Sequence, residues 1–365
     1  MPTQRVLPFV LRTDMSRFFS SKYSRLEAYV PGEQPKDMKY IKLNTNESPF
    51  PPSKKALEAA RLEAGRLQLY SDPECTVLTE KAAEVFGVSK ECVLMTNGSD
   101  EILNFAFMAF CDREHPIVFP DITYGFYPVF AELNGIPYEQ IPLKEDFSVD
   151  YSDYVSVNKN VVIANPNAPT GIFKPLCEIE KILAANPDSV VLVDEAYIDF
   201  GGESALKLLD KYKNLLVVRT YSKSRSLAGA RLGFAFADKE IIDDLSKIKF
   251  STNPYSINRL TLIAGEAALK DGKYYEDNAK KIIETRAFVT EKLRAMGFEV
   301  VESAANFVLA GHDKISGSDF AEEMKKRGIL IRHFSGERLE KYNRITIGTR
   351  AEMEAFLFAA EKIIG

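Results

Sequence analysis

The sequence predicts an α/β protein, with a large domain built on a mostly parallel sheet flanked by helices and a smaller α+β domain after it. Three observations carry that expectation. Short apolar runs of strand type alternate with helix-spaced segments from about residue 76, and from about residue 270 the composition turns charged and helical. A chain of 365 residues, 45% hydrophobic and 27% charged, is also long enough to bury one large core and a smaller one beside it.

The elements follow in order. VLTEKAAEVFG (77–87) has helical spacing, ECVLMT (91–96) reads as a strand, and DEILNFAFMAF (100–110) reads as a helix opened by Asn97-Gly98-Ser99. The apolar runs 117–119, 161–165, 190–195, 215–220 and 232–237 read as further strands, the pattern of a sheet covered on both faces. Residues 271–297 form a long charged amphipathic helix with room for one break. FEVVES, NFVLA, ILIRHF and RITIG then read as strands, with a helix near 318–327 and another at the end. NESPFPPS (46–53) reads as an ordered connection, so the expected division is an N-terminal arm 1–44, a large domain 45–270 and a small domain 271–365.

Charge and special residues narrow the function classes. Lys plus Arg number 47 against 52 Asp plus Glu, a net charge of −5 with no long basic block, so nucleic acid is not an expected partner. Cys75, Cys92, Cys111 and Cys177 show no C-x-x-C spacing, and His115, His312 and His333 are not at ligand spacing. No metal site is expected, and a reducing cytoplasm fits. VLPFVL (6–11), broken by Pro8 and flanked by Arg5 and Arg12, is too short for a secretory core. No later run approaches the ~20 apolar residues of a membrane span.

In open parallel sheets the working residues sit at the carboxyl ends of the strands. NGSDE (97–101) there opens a helix, so the amides of Ser99 and Asp100 would face an anion, although an ordinary helix cap has the same spelling. DEAY (194–197) places an acid and a tyrosine after a strand, where an aspartate also commonly caps a helix. NPNAPTG (165–171) has turn composition. TYSKSRSLAGARLGF (220–234) puts Lys223, Arg225 and Arg231 into a small, apolar run directly after LLVVR, and basic side chains are rarely buried without a partner.

Taken together, in their order, these motifs resemble the fold type I pyridoxal 5′-phosphate-dependent aminotransferases, from about residue 25 to the C-terminus. The resemblance implies that Lys223 condenses with the cofactor aldehyde and moves protons at the substrate α-carbon. It implies that Asp194 faces the ring nitrogen and Tyr197 the phenolic oxygen. The cofactor phosphate falls to the amides of Ser99 and Asp100, the hydroxyl of Ser222 and the guanidinium of Arg231. Tyr70 in LYSDP (69–73) reaches in from the neighbouring subunit, which implies a homodimer with shared active sites. Tyr124 in PDITYGFY (120–127) aligns with the aromatic residue that stacks on the ring. The family's asparagine before Pro-Thr-Gly is Ala168 here, and Asn167 is expected to take over its contact. Arg225 matches no family role.

RLEAYVPGEQ (25–34), KLNTNESPFPPS (42–53), GILIRHF (328–334) and NRITIGTR (343–350) resemble the histidinol-phosphate aminotransferase branch. There Tyr29, Arg332 and Arg344 would surround the phosphate end of the substrate, and Arg344 would also serve the glutamate carboxylate. The implied reaction moves an amino group between L-histidinol phosphate and 2-oxoglutarate, giving imidazole acetol phosphate and glutamate, in histidine biosynthesis. A threonine-phosphate decarboxylase or a broad aromatic amino acid aminotransferase would use the same lysine and aspartate. A non-enzymatic binding module is disfavoured, because Lys223 and Asp194 are both present and no DNA-binding extension is visible.

Overall fold

The computed structural model describes residues 16–24 and 26–365. The apolar run 6–11, with the rest of residues 1–15 of the expected arm, and Arg25 of the 25–34 motif lie outside the described residues. The strands are β1 (Ile41–Lys42), β2 (Val93–Thr96), β3 (Ile117–Pro120), β4 (Tyr138–Ile141), β5 (Asn160–Ala164), β6 (Val191–Asp194), β7 (Leu215–Thr220), β8 (Gly233–Ala237), β9 (Glu299–Val300), β10 (Phe307–Gly311), β11 (Ile329–Leu330), β12 (Arg332–His333) and β13 (Tyr342–Thr346). The α-helices are α1 (Lys54–Glu63), α2 (Thr76–Phe86), α3 (Ser99–Phe110), α4 (Phe126–Asn134), α5 (Leu176–Ala185), α6 (Lys239–Thr252), α7 (Arg259–Lys270), α8 (Gly272–Ala295), α9 (Gly317–Lys326) and α10 (Arg350–Ile364).

Strands β2 to β8 form one sheet in the order β2-β8-β7-β6-β5-β3-β4. All run parallel except β8, which is antiparallel to both β2 and β7. Alternation of side chains along buried strands gives the sheet two cores. Val161, Ile163, Val191, Val193, Leu215 and Val217 point to the side covered by α2, α5 and α7. Val162, Ala164, Leu192, Leu216 and Val218 point to the side covered by α3, α4 and α6. The carboxyl ends of β2, β3, β5, β6 and β7, with the amino end of antiparallel β8, therefore share one edge of the sheet.

Residues 299–346 supply a four-stranded antiparallel sheet, β12-β13-β10-β9, packed on α8, α9 and α10 through Val308, Ile345, Met353 and Phe356. Two features differ from the sequence expectation. The long helix α8 has no break, because the interruption comes before it at Asp271, which separates it from α7, a helix the periodicity did not single out. ILIRHF is not one strand: Ile329 and Leu330 pair parallel with Ile41 and Lys42 of β1, while Arg332 and His333 pair with β13. That division turns Arg332 out of a buried strand and toward the sheet edge. Among the described residues, no helix is long and apolar enough to cross a membrane.

Candidate active site

A cavity of about 470 Å³ lies at the shared strand edge, and Ser99, Asp100, Tyr124, Asp194, Tyr197, Ser222, Lys223 and Arg231 all line it. Each arrives by the same local logic. A strand buried on both faces stops, and the residues after it turn into the gap above the sheet. Asp194 ends β6, Ser222 and Lys223 follow β7, and Ser99 begins α3 directly after β2.

The anion side of the cavity is a helix N-terminus approached by an arginine. The cap of α3 is Gly98, which has no side chain with which to satisfy the first amides. Gly98 sits at φ +84°, and a Cβ there would stand 2.7 Å from the Arg231 guanidinium. On the facing strand, a Cβ at Gly233 would come within 2.4 Å of the Ser99 nitrogen. Both positions demand glycine so that backbone and guanidinium can close on one spot. Arg231 donates to the Asp100 carboxylate (3.0 Å) and Ser222 Oγ (3.4 Å), and Tyr124 donates to the other Asp100 oxygen (2.8 Å).

Asp194 occupies the floor. Its carboxylate is buried, accepts from the Tyr127 hydroxyl (2.9 Å) and the Ala196 amide (3.1 Å), and forms no ion pair with any described residue. Burial pushes its carboxyl up to about 6, against the pull of those hydrogen bonds and of the Lys223 charge. Burial and the facing carboxylates push the Tyr124 and Tyr127 hydroxyls well above the ordinary tyrosine range. Lys223 Nζ donates to the Thr45 carbonyl (3.2 Å) and lies 5.5 Å from the centre of the Tyr197 ring.

Tyr29, Arg332 and Arg344 gather on the small-sheet side. Tyr29 stacks on Phe126 (4.1 Å between ring centres) and lies against Tyr124 (6.4 Å). Burial raises its hydroxyl, while the Arg344 and Arg332 charges pull the other way. Arg344 and Arg332 hold their guanidinium carbons 5.4 and 5.5 Å from the Phe334 ring. Enclosure pushes the Arg344 guanidinium below its ordinary value, with no carboxylate among the described residues to oppose it.

Five expected residues are absent from the cavity lining: Tyr29, Arg332 and Arg344, which gather beside it, and Asn167 and Tyr70. The amide of Asn167 donates to the Ile122 carbonyl (2.9 Å) and Thr170 Oγ1 (3.1 Å), and its oxygen accepts from Thr123 (2.7 Å), so it braces the loop and Ala168 lines the cavity instead. Tyr70 is 79% exposed and stacks on Tyr255 (4.6 Å), away from the cavity of its own chain. Arg225 lies over the Tyr221 and Tyr275 rings (5.8 and 5.9 Å), outside the cavity lining. Sequence reasoning missed Tyr127, Thr45 and Asn46. Tyr127 stands three residues after Tyr124 at the start of a helix, and Thr45 and Asn46 lie within a quoted motif, so spacing offered a signal for the first only.

The aminotransferase class I and II family matches residues 38–359. A histidinol-phosphate aminotransferase of Clostridium acetobutylicum is 51% identical over 344 residues, covering 94% of this chain and 98% of that protein. One from Brachyspira hyodysenteriae is 48% identical over 354 residues, covering 96% and 99%. Among solved structures, the histidinol-phosphate aminotransferase from Sinorhizobium meliloti in complex with pyridoxal-5′-phosphate is 26% identical, with a TM-score of 0.87 over 96% of this chain and 98% of that one.

Proposed function

The chain belongs to the class I and II aminotransferases, in their histidinol-phosphate aminotransferase branch, and we propose that its cavity moves an amino group between L-histidinol phosphate and 2-oxoglutarate with pyridoxal 5′-phosphate as cofactor. The residues present fit that cofactor. A buried carboxylate without a cation, as at Asp194, is matched by a protonated ring nitrogen. The glycine-capped start of α3 with Arg231 and Ser222 is matched by a phosphate. When bound, the cofactor supplies an aldehyde for the amine and an aromatic ring that withdraws electrons from the α-carbon.

The side chains then divide the work. Lys223 Nζ holds and moves the proton at the substrate α-carbon. Asp194 holds the counter-charge in a dry floor, and Tyr127 keeps that carboxylate in place by donating to one of its oxygens. Tyr197 donates toward the cavity, which Tyr124 lines with Tyr29 packed beside it. Asp100 tethers Arg231 and Tyr124 to each other through its two oxygens.

The observation that carries the phosphorylated substrate is the pairing of Arg332 with Arg344, two cations in register on neighbouring strands. Arg344 also suits the distal carboxylate of glutamate, which must enter the same site in the other half-reaction. A panel of amino donors tests the reading: each is added to holoprotein without a keto acid, and loss of the cofactor's visible absorbance is timed.

The division into an arm 1–44, a large domain 45–270 and a small domain 271–365 fits a site closed from both sides. A homodimer fits the exposed apolar side chains of the chain, among them Tyr70, Leu62, Leu67, Leu69, Val77 and Phe250. In it Tyr70 reaches the phosphate end of the partner's cavity. A cytoplasmic location suits a pathway enzyme whose four cysteines are all free.

A further inference from the structure

Residues 44–46 each touch a different functional side chain. The Asn44 carbonyl accepts from Arg344 (2.9 Å), the Thr45 carbonyl accepts from Lys223 (3.2 Å), and Asn46 Nδ2 donates to the Tyr197 hydroxyl oxygen (3.0 Å). The last contact fixes more than a distance. Asn46 is 1% exposed and sits at φ +56°, a left-handed conformation that asparagine tolerates better than most residues.

The direction of each hydrogen bond follows from the groups around Asn46. Its backbone N–H donates to Thr346 Oγ1 (3.0 Å), so the threonine's own proton is free to donate to Asn46 Oδ1 (2.9 Å). The amide oxygen is thereby committed to Thr346, and the NH2 end must face Tyr197. An amide NH2 only donates, so Tyr197 accepts here and its own O–H cannot point at Asn46. Among the described residues no other group accepts that proton, and Tyr197 lines the cavity. The 165–171 loop adds no side-chain donor there, since Ala168 lines the cavity and the Asn167 amide is used elsewhere.

We propose that Asn46 is a positioning residue for Tyr197: by donating to the tyrosine oxygen it leaves the tyrosine proton aimed at the ligand, an inference that rests on the cofactor reading above. Asn306 Nδ2 holds the Asn46 carbonyl (3.0 Å), and Thr346 lies two residues beyond Arg344 on β13. The strand that carries the substrate arginine therefore also sets the amide that orients the tyrosine.

A double-mutant cycle tests this on full-length dimeric protein stripped of cofactor and titrated with pyridoxal 5′-phosphate. Asn46→Ala is expected to weaken cofactor binding by about 5–10-fold, the worth of one orienting hydrogen bond, and to move the pH midpoint of the cofactor's visible absorbance. In a Tyr197→Phe background the same substitution should change neither quantity. Asn46→Asp keeps the volume and the Thr346 bond but offers Tyr197 an acceptor, so it should lose as much as Asn46→Ala. Should Asn46→Ala fail to fold, Thr346→Val frees the amide to rotate, and its effect should likewise vanish in Tyr197→Phe, while Thr346→Ser restores wild-type behaviour. Equal losses in both backgrounds, or a wild-type midpoint in Asn46→Asp, would overturn the proposal and leave Asn46 a structural brace. Failure of the wild-type protein itself to bind the cofactor would instead refute the cofactor reading, and this inference with it.

Discussion

Arg332 of β12 and Arg344 of β13 stand directly opposite each other in an antiparallel pair, and among the described residues neither forms a salt bridge. Arg332 donates to the Val30 and Pro31 carbonyls, and Arg344 donates through one nitrogen to Asn44, while its buried Nε has no partner. Like charges in register across a ladder are destabilising, and a buried unsatisfied donor adds to the cost. A dianionic group between them relieves both. Under the proposed function that group is the substrate phosphate.

Lys223→Ala should abolish transamination and the visible absorbance of bound cofactor while leaving the unfolding midpoint near that of cofactor-free wild type. The side chain ends in one hydrogen bond to a carbonyl and contributes little core. Turnover near the wild-type rate would contradict its assignment.

Asp194→Asn should slow α-proton removal by on the order of 10²-fold or more, because the ring loses its counter-charge, and stopped-flow single turnovers read this directly. The same substitution has a signature in cofactor-free protein. With its folded carboxyl pushed up to about 6 against an ordinary value near 3.9, the folded state binds more protons than the unfolded state between about pH 4 and 6. Stability therefore falls as pH rises through that window, by on the order of 3 kcal/mol, and stays low above it. Glu195, raised by burial to about 7, acts in the same direction. Urea unfolding at pH 5 and pH 8 should show a smaller drop for Asp194→Asn than for wild type. An unchanged drop would mean that Asp194 is ionised without penalty.

Mixing Tyr70→Phe protein with Lys223→Ala protein should restore activity at limiting cofactor, since each heterodimer contains one site with both native groups. Activity no greater than the sum of the parents would place Tyr70 outside the partner's site.

The parts of the site that the sequence revealed are those carried by strand ends. VVLVD, LLVVRT and LGFAFA are buried on both faces, so their ends were legible from apolar runs, while singling out Asp194, Lys223 and Arg231 there took the resemblance of the ordered motifs to a known family. Arg332 and Arg344 stood out because cations are rare inside apolar runs. Tyr127 did not, although it stands three residues after Tyr124, because an aromatic residue in a helix beside other aromatics reads as core, and the fold is what points its hydroxyl at Asp194. Asn46 and Tyr197 are 151 residues apart, and no periodicity links them. Asn167 was expected at the cavity by resemblance, and spacing cannot show that a loop spends its asparagine on its own backbone.

The measurement closest to the central claim compares histidinol phosphate with histidinol as amino donors, in wild-type and Arg332→Ala proteins. Charge-assisted hydrogen bonds are worth roughly 1.5–3 kcal/mol each, so loss of two should lower the efficiency with histidinol by at least ~100-fold at about 1.4 kcal/mol per tenfold. Arg332→Ala should erase most of that preference and affect glutamate less. Equal efficiency with the two donors, or an Arg332→Ala protein that keeps the full preference for histidinol phosphate, would contradict the account.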